Sequence, residues 1–299
     1  MYSQKKVGQK GLQHDYHLTM KKIFLIIFAC LTLQPIFAQK SEIGFMLGTS
    51  FYLGDLNPTG IFKQSQFAGG FVYRYNFTPR WALKANVYFG NVQASDAETN
   101  KHYERNLSFK SPITEISAQV ELNFLRLYNV PSKNHFAPYI FAGISLFSFN
   151  PRAELDGRYY DLQHLGTEGQ GLEGQKKFYS LCNAAIPFGI GIKVNIAKFM
   201  CIGVEWGMRY TFTDYLDDVG GTYYDNGMLE DARGQFVARL ADRSEVLHEA
   251  GSGRGNSTTK DLYSFAGATI TFKIGNEDKS CDIRYNARNK VKHRLGKKN

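Results

Sequence analysis

The chain has 299 residues, with 36 Lys and Arg against 27 Asp and Glu, for a formal charge of +9. After residue 38 no apolar run approaches the roughly 20 residues that a membrane-spanning helix needs, which excludes a helical membrane anchor. Aromatic residues are abundant, with 23 Phe and 18 Tyr, and Gly is frequent, as interfacial girdles and close-packed strands require.

Residues 1–19 are polar and lead to a second methionine, Met20, so they read as an extension from a start site placed too early. Lys21 and Lys22 precede the apolar run Ile23 to Leu33, and Ala38 offers a small residue for cleavage. Residues 20–38 therefore read as a signal peptide. Acylation at Cys30 is the alternative, disfavoured by the bulky Phe28 and by the apolar run continuing past the cysteine.

Eight segments then alternate between apolar and small or polar residues, the period of a strand with one oily face. The first, 42–54, sets Ile43, Phe45, Leu47, Phe51 and Leu53 outward and Gly44, Gly48, Ser50 and Gly54 inward. After turn chemistry at 55–60, the second, 67–78, sets Phe67, Phe71, Tyr73, Tyr75 and Phe77 against Gly70, Arg74, Asn76 and Thr78. The third, 81–91, alternates Trp81, Leu83, Ala85, Val87 and Phe89 with Lys84, Asn86 and Tyr88. The fourth, 113–124, is the strictest: Ile116, Ala118, Val120, Leu122 and Phe124 against Glu115, Ser117, Gln119, Glu121 and Asn123. The fifth, 138–149, is apolar on both rows and has no phase by pattern. Residues 150–178 read as a long loop rich in Gly and charge.

The sixth strand, 184–196, sets isoleucines and Phe188 against Gly189, Gly191, Lys193 and Asn195. Its partner, 200–212, sets Trp206, Met208, Tyr210 and Phe212 against Gly203, Glu205, Gly207, Arg209 and Thr211. The longest loop, 213–260, carries a predicted helix near 229–249, and the last strand is 262–274.

Connections after strands two to seven alternate short and long. A soluble sandwich does not need that regularity, whereas outer-membrane barrels have short periplasmic turns and long external loops. The expected fold is an all-β, eight-stranded antiparallel transmembrane barrel over 39–275, in a Gram-negative outer membrane with both chain ends in the periplasm. A basic tail, 276–299, follows, with eight Lys and Arg against three acids. In an exported protein this charge argues against nucleic acid and for a solvated end, a protein-docking arm or anionic headgroups.

Eight strands leave room only for side chains. The inward charges Arg74, Lys84, Glu115, Glu121, Lys193, Glu205, Arg209 and Lys273 should pair, giving a plugged core rather than a pore or a proton path. No cofactor, metal or small-molecule substrate is expected. The histidines fall in loops, turns or the tail, and no nucleophile motif appears, so the chain reads as non-enzymatic. Asp214, Asp217 and Asp218 form an acidic cluster that fits either a cation or, more simply, a solvated loop or a hydrogen-bonded turn. Cys182 and Cys201 lie at opposite ends of one hairpin, too far apart to bridge. Cys281, beyond the last strand, is left to pair with Cys201 or with a partner, or to stay free.

Two stretches carry a family resemblance: Glu42-Ile43-Gly44 running into Tyr52-Leu53-Gly54-Asp55-Leu56-Asn57, and Thr211-Phe212-Thr213-Asp214-Tyr215-Leu216-Asp217-Asp218-Val219. Over about 40–285 the chain resembles the PorG-like (DUF6089) outer-membrane barrels of Bacteroidetes. The resemblance implies a structural part of the type IX secretion and gliding machinery, tying a periplasmic ring-forming lipoprotein and its associated subunits to outer-membrane lipid. Gly54, Asp55 and Asn57 mark the N-terminal motif, and Asp214, Tyr215, Asp217 and Asp218 the loop motif. The tail residues Cys281, Arg284, Arg288, Lys290, Lys292 and Arg294 lie where such docking would occur. The alternative is a generic surface barrel, akin to OmpA or OmpX, binding external ligands through its loops.

Overall fold

The computed structural model describes residues 41–99, 104–127 and 135–274. Ten strands form one antiparallel sheet: β1 (Ser41–Leu53), β2 (Gln66–Asn76), β3 (Trp81–Ser95), β4 (Ser108–Asn123), β5 (Phe136–Phe149), β6 (Arg152–Leu155), β7 (Arg158–Asp161), β8 (Cys182–Asn195), β9 (Met200–Thr211) and β10 (Leu262–Ile274). Eight of them close on themselves in the order β1-β2-β3-β4-β5-β8-β9-β10, with β10 hydrogen-bonded back to β1 from Ser41↔Ile274 to Leu53↔Leu262. Closure leaves no barrel edge with unpaired backbone groups, the condition for crossing lipid with strands.

Burial is inverted relative to a water-soluble protein. Phe67 is 73% exposed and Ile144 72%, while Arg74, Lys84, Glu115, Glu121 and Lys193 are all at or below 1%. The exposed apolar rows predicted for β2, β3, β4, β8 and β9 face outward, so the chain is a transmembrane β-barrel of the outer-membrane type. In β5 the phase is set by its neighbours: Tyr139, Phe141, Phe147 and Phe149 turn inward, and Ile140, Ile144 and Leu146 outward.

Three local expectations are corrected. Phe51 belongs to the outward row of β1 yet is fully buried. The β1–β2 loop folds down over it, placing the Phe62 ring 4.8 Å from Phe51 and 5.8 Å from Trp206. Phe62 holds a left-handed φ of 61° to do so. Second, residues 150–178 are not wholly loop, because β6 and β7 form a hairpin attached to β4 through Lys110↔Arg152. Third, the helix expected near 229–249 is two short helices that break at Gly234, whose φ is 92°, and end by Ala241.

The helices are α1 (Asp96–Thr99), α2 (Asn226–Arg233) and α3 (Gln235–Ala241). β3 and β4 also run further than the alternation showed, staying paired to Ser95↔Ser108. At about 3.3 Å per residue these strands rise past the other strand ends and support the long loops, which fold into a cap over that end of the barrel.

The interior is layered. At the short-turn end, Arg74 bridges Glu42 (2.8 Å) and Glu121 (3.0 Å), and Lys193 meets Glu121 at 2.6 Å. One layer up, Lys84 pairs with Glu205 at 2.7 Å, with the Tyr88 and Tyr139 hydroxyls donating to the same carboxylate. Higher still, Arg209 and the Tyr263 hydroxyl both donate to Glu115. Lys273, on the same inward row, is half-buried at the rim. Above these charges sits an aromatic layer that includes Phe109, Phe147, Phe149 and Phe265. Four buried cations thus neutralise four buried carboxylates, the arrangement that desolvated charge demands.

Candidate functional site

The two motif stretches, more than 150 residues apart in sequence, meet at the capped mouth of the barrel. Tyr52 is the last inward side chain of β1. Its hydroxyl lies 2.6 Å from Asp217 Oδ2 and 2.8 Å from Asp261 Oδ1, all three groups buried. One phenol has one proton to donate, so holding both oxygens needs a second proton, carried by one of the carboxyls. Burial and the neighbouring carboxyl push Asp217 well above the usual carboxylate range, and burial pushes Asp261 up to about 8. The remaining oxygens accept backbone N–H bonds, Asp217 from Val219 and Asp261 from Leu216.

Gly54 forms the wall of this cluster. A Cβ there would run into the Tyr52 hydroxyl and the Asp261 carboxylate. Asn57 secures the approach, its amide donating to Tyr52 O and Gly60 O while its own oxygen accepts from Gly60 N. Asp55 receives Asn256 N, which ties the first loop to the last.

Asp218 faces a second set of partners. It accepts from Thr167 (2.5 Å) and Tyr179 (2.7 Å), with Arg254 at 3.8 Å. Burial raises its pKa to about 6 against the pull of Arg254 and these hydroxyls. Asp218 itself sits at φ 68°. Glu168 accepts from Gly220 N, Gly221 N and Arg254. Tyr215 stacks on Tyr179 at 4.8 Å. Asp214, pushed by burial to about 6, lies 3.9 Å from Lys260.

The cap is closed by Arg105, whose guanidinium grips both oxygens of Asp96 at 2.8 and 2.7 Å and reaches the carbonyls of Arg254 and Asp55. That fork geometry is beyond a lysine. Arg105→Lys should cost the cap about 1.5–3 kcal/mol, read as faster proteolysis of the loops at unchanged barrel content by circular dichroism.

The acidic cluster is therefore a hydrogen-bonded turn locked to three other segments. Among the described residues no group of three or more His, Cys, Asp or Glu is arranged to hold a metal ion. Ser244, His248 and Asp242 do come together, but Ser244 Oγ and Asp242 Oδ2 both lie 3.1 Å from the same ring nitrogen, Nδ1. A nucleophile relay needs the serine and the acid on opposite nitrogens. Here the serine also donates to Asp242, which makes the group a turn fastening.

Cys201 is buried and Cys182 exposed, both as free thiols, one at each end of the β8–β9 hairpin. The tail residues Cys281, Arg284, Arg288, Lys290, Lys292 and Arg294 lie outside the described residues. The sequence pointed to Gly54, Asp55, Asn57 and the 214–218 stretch but missed Asp261, Thr167, Glu168, Arg254 and Arg105. The one signal for Asp261 was its place directly before the last strand. The others are isolated polar residues in loops and carry no pattern.

Similarity to known proteins agrees with where these motifs lie. The profile of the domain of unknown function DUF6089 matches residues 21–234. The chain belongs to the DUF6089 family. The matched region starts earlier than the resemblance over 40–285 and ends sooner. It contains both motifs, leaving Arg254, Asp261 and β10 of this DUF6089 chain beyond it. No curated protein matches it in sequence. Among solved structures it is similar to Ail, the attachment invasion locus protein of Yersinia pestis, at 7% identity and a TM-score of 0.37 over 78% of this chain and 96% of that one. It is similar also to Neisserial surface protein A, at 10% identity and a TM-score of 0.40 over 79% and 97%. A third is the N-terminal β-barrel domain of Pseudomonas aeruginosa OprF, at 11% and 0.33 over 78% and 97%. The barrel assignment rests on the strand register above, not on these likenesses.

Proposed function

We propose that this DUF6089 barrel is a non-catalytic outer-membrane component of the type IX secretion machinery, holding periplasmic ring-forming lipoproteins to the membrane. The observation that carries the reading is the interior: charges paired layer by layer under a fastened cap leave no evident path, so the protein works through its surfaces. Membership in DUF6089 supports it, since the PorG-like resemblance attaches that family to this machinery. In this reading the short turns and both chain ends face the periplasm. Ser41 and Ile274, the first and last described residues, pair at the short-turn end, which in this reading is the periplasmic one.

Deleting 276–299 should leave the barrel inserted and heat-modifiable on gels while co-purification of the ring lipoprotein and cargo secretion are lost. Normal secretion and co-purification in that deletion remove the tail from the mechanism. A second reading, a surface barrel that binds external ligands through its loops, is favoured by one observation, the ordered cap itself. It predicts the reverse dependence: replacing 219–260 with a short turn abolishes function, and the tail is dispensable.

A further inference from the structure

The β2–β3 and β4–β5 turns are fastened into one surface at the short-turn end of the barrel. Asn123 N donates to Arg80 O at 2.7 Å, Leu127 N to Pro79 O at 3.1 Å and the Asn123 amide to Pro79 O at 3.3 Å. Thr78 Oγ1 stiffens the first turn further, accepting from Arg80 N and Trp81 N. These bonds set the backbones of Arg80 and Arg126 beside each other, and both side chains are exposed. Among the described residues neither guanidinium takes part in an ion pair or a hydrogen bond. Surface charge at this end has one sign. Its described carboxylates, Glu42 and Glu121, lie inside the barrel and are paired with Arg74, whereas Lys198 in the β8–β9 turn is a further exposed cation. The capped end mixes the signs, with Asp156, Glu230, Asp231 and Glu245 exposed alongside its arginines.

The surroundings narrow the ligand. Phe77, Trp81, Phe124 and Leu125 flank the two arginines in sequence and are all exposed, as side chains at a membrane–water interface are. Next along the same outward rows, Leu83 and Val120 face each other across β3 and β4 and are exposed to the hydrocarbon. A guanidinium forks onto phosphate oxygens, and at the level of the headgroups the phosphates arrive with their acyl chains beside them. An acidic protein would answer the charge alone, whereas a lipid answers both the charge and the oily rows below it. A zwitterionic headgroup brings its own ammonium to the same place, where two guanidiniums repel it. We infer that this face binds an anionic glycerophospholipid of the phosphatidylglycerol type, with its phosphate on Arg80 and Arg126 and its acyl chains along Leu83 and Val120. This goes beyond the docking role and does not depend on it.

The test uses the full chain refolded into vesicles of phosphatidylcholine and phosphatidylglycerol in fixed proportion, with bromine on the acyl chains of one lipid or the other. The chain has two tryptophans, so Trp206→Phe leaves Trp81 as the reporter beside the site. Trp81→Phe leaves Trp206, under the β1–β2 loop toward the capped end, as the control. Trp81 should favour phosphatidylglycerol by about fivefold or more, the effect of at least one cation at an anionic surface, while Trp206 shows no preference. Adding Arg80→Gln and Arg126→Gln should erase the preference at Trp81, with the heat-dependent gel shift confirming that the variant is inserted. Deleting 276–299 should leave the preference unchanged, which separates this site from the docking role of the tail. Equal quenching of Trp81 by the two lipids, the same preference at Trp206, a preference that survives the double arginine change, or one lost with 276–299 would each overturn the assignment.

Discussion

Glu121→Ala should destabilise the barrel by about 3–5 kcal/mol, the typical result of removing one partner from a buried ionic group. Glu121 stands between three cations, with Lys193 at 2.6 Å, Arg74 at 3.0 Å and Lys84 at 3.5 Å. Without it Arg74 keeps Glu42 and Lys84 keeps Glu205, but Lys193 loses its closest carboxylate inside the barrel wall. Water cannot easily replace it, since Lys193 and Glu121 are both essentially inaccessible. A combined Glu121→Leu, Lys193→Met variant should recover much of the loss, because apolar side chains of similar volume need no counter-charge while Arg74 keeps Glu42 and Lys84 keeps Glu205. Urea unfolding in lipid vesicles, followed by the fluorescence of Trp81 and Trp206, measures both variants. A loss under about 1 kcal/mol for the single change would mean that the layer does not depend on Glu121.

The second large effect is on the cap and follows pH. The ordinary carboxyl pKa is about 3.9, whereas Asp261 is held at about 8 and Asp217 is raised as well. Between those values the closed cap binds protons that an opened cap does not. Its stability is therefore complete at low pH and declines as pH rises, by about 1.4 kcal/mol per pH unit for the one proton the pair holds, levelling off above the folded pKa. Asp214 and Asp218, both raised to about 6, act in the same direction over the lower part of the window. Limited proteolysis of loop 213–260 should thus be faster at pH 8 than at pH 5.5, while the heat-dependent gel shift of the barrel stays constant. Gly54→Ala should open the cap at both pH values, because its methyl would occupy the space of the Tyr52 hydroxyl and the Asp261 carboxyl. Proteolysis that is independent of pH, or an unaltered Gly54→Ala cap, would remove the shared proton from this account.

The strand rows were legible because a barrel in lipid imposes period two: along the membrane span each residue faces either hydrocarbon or a crowded interior. Ile116 to Phe124 and their inward partners declared that choice residue by residue. So did the charges on the inner rows, whose mutual pairing follows from the cost of burying them alone. β5 could not declare it, since Tyr139, Phe141, Phe147 and Phe149 are as apolar as the lipid-facing residues beside them. Only the register against β4 and β8 separates the two rows.

The cap was the least legible part. Phe51 looked lipid-facing until the β1–β2 loop was seen to cover it. The acidic stretch 214–218 left a cation site, a solvated loop and a hydrogen-bonded turn open until Tyr52, Thr167, Tyr179 and Arg254 were brought to it from three other segments. Alternation by itself determined a lipid-spanning barrel and all of its buried charges but Glu42; the two motifs came from a family resemblance, and their meeting at the mouth from the fold. Which loop polar groups touch and which carboxyl keeps a proton were decided only by tertiary structure. The reason is physical: a strand's facing repeats along the chain, whereas these loop hydrogen bonds join residues as much as 50 and 209 positions apart and leave no period to read.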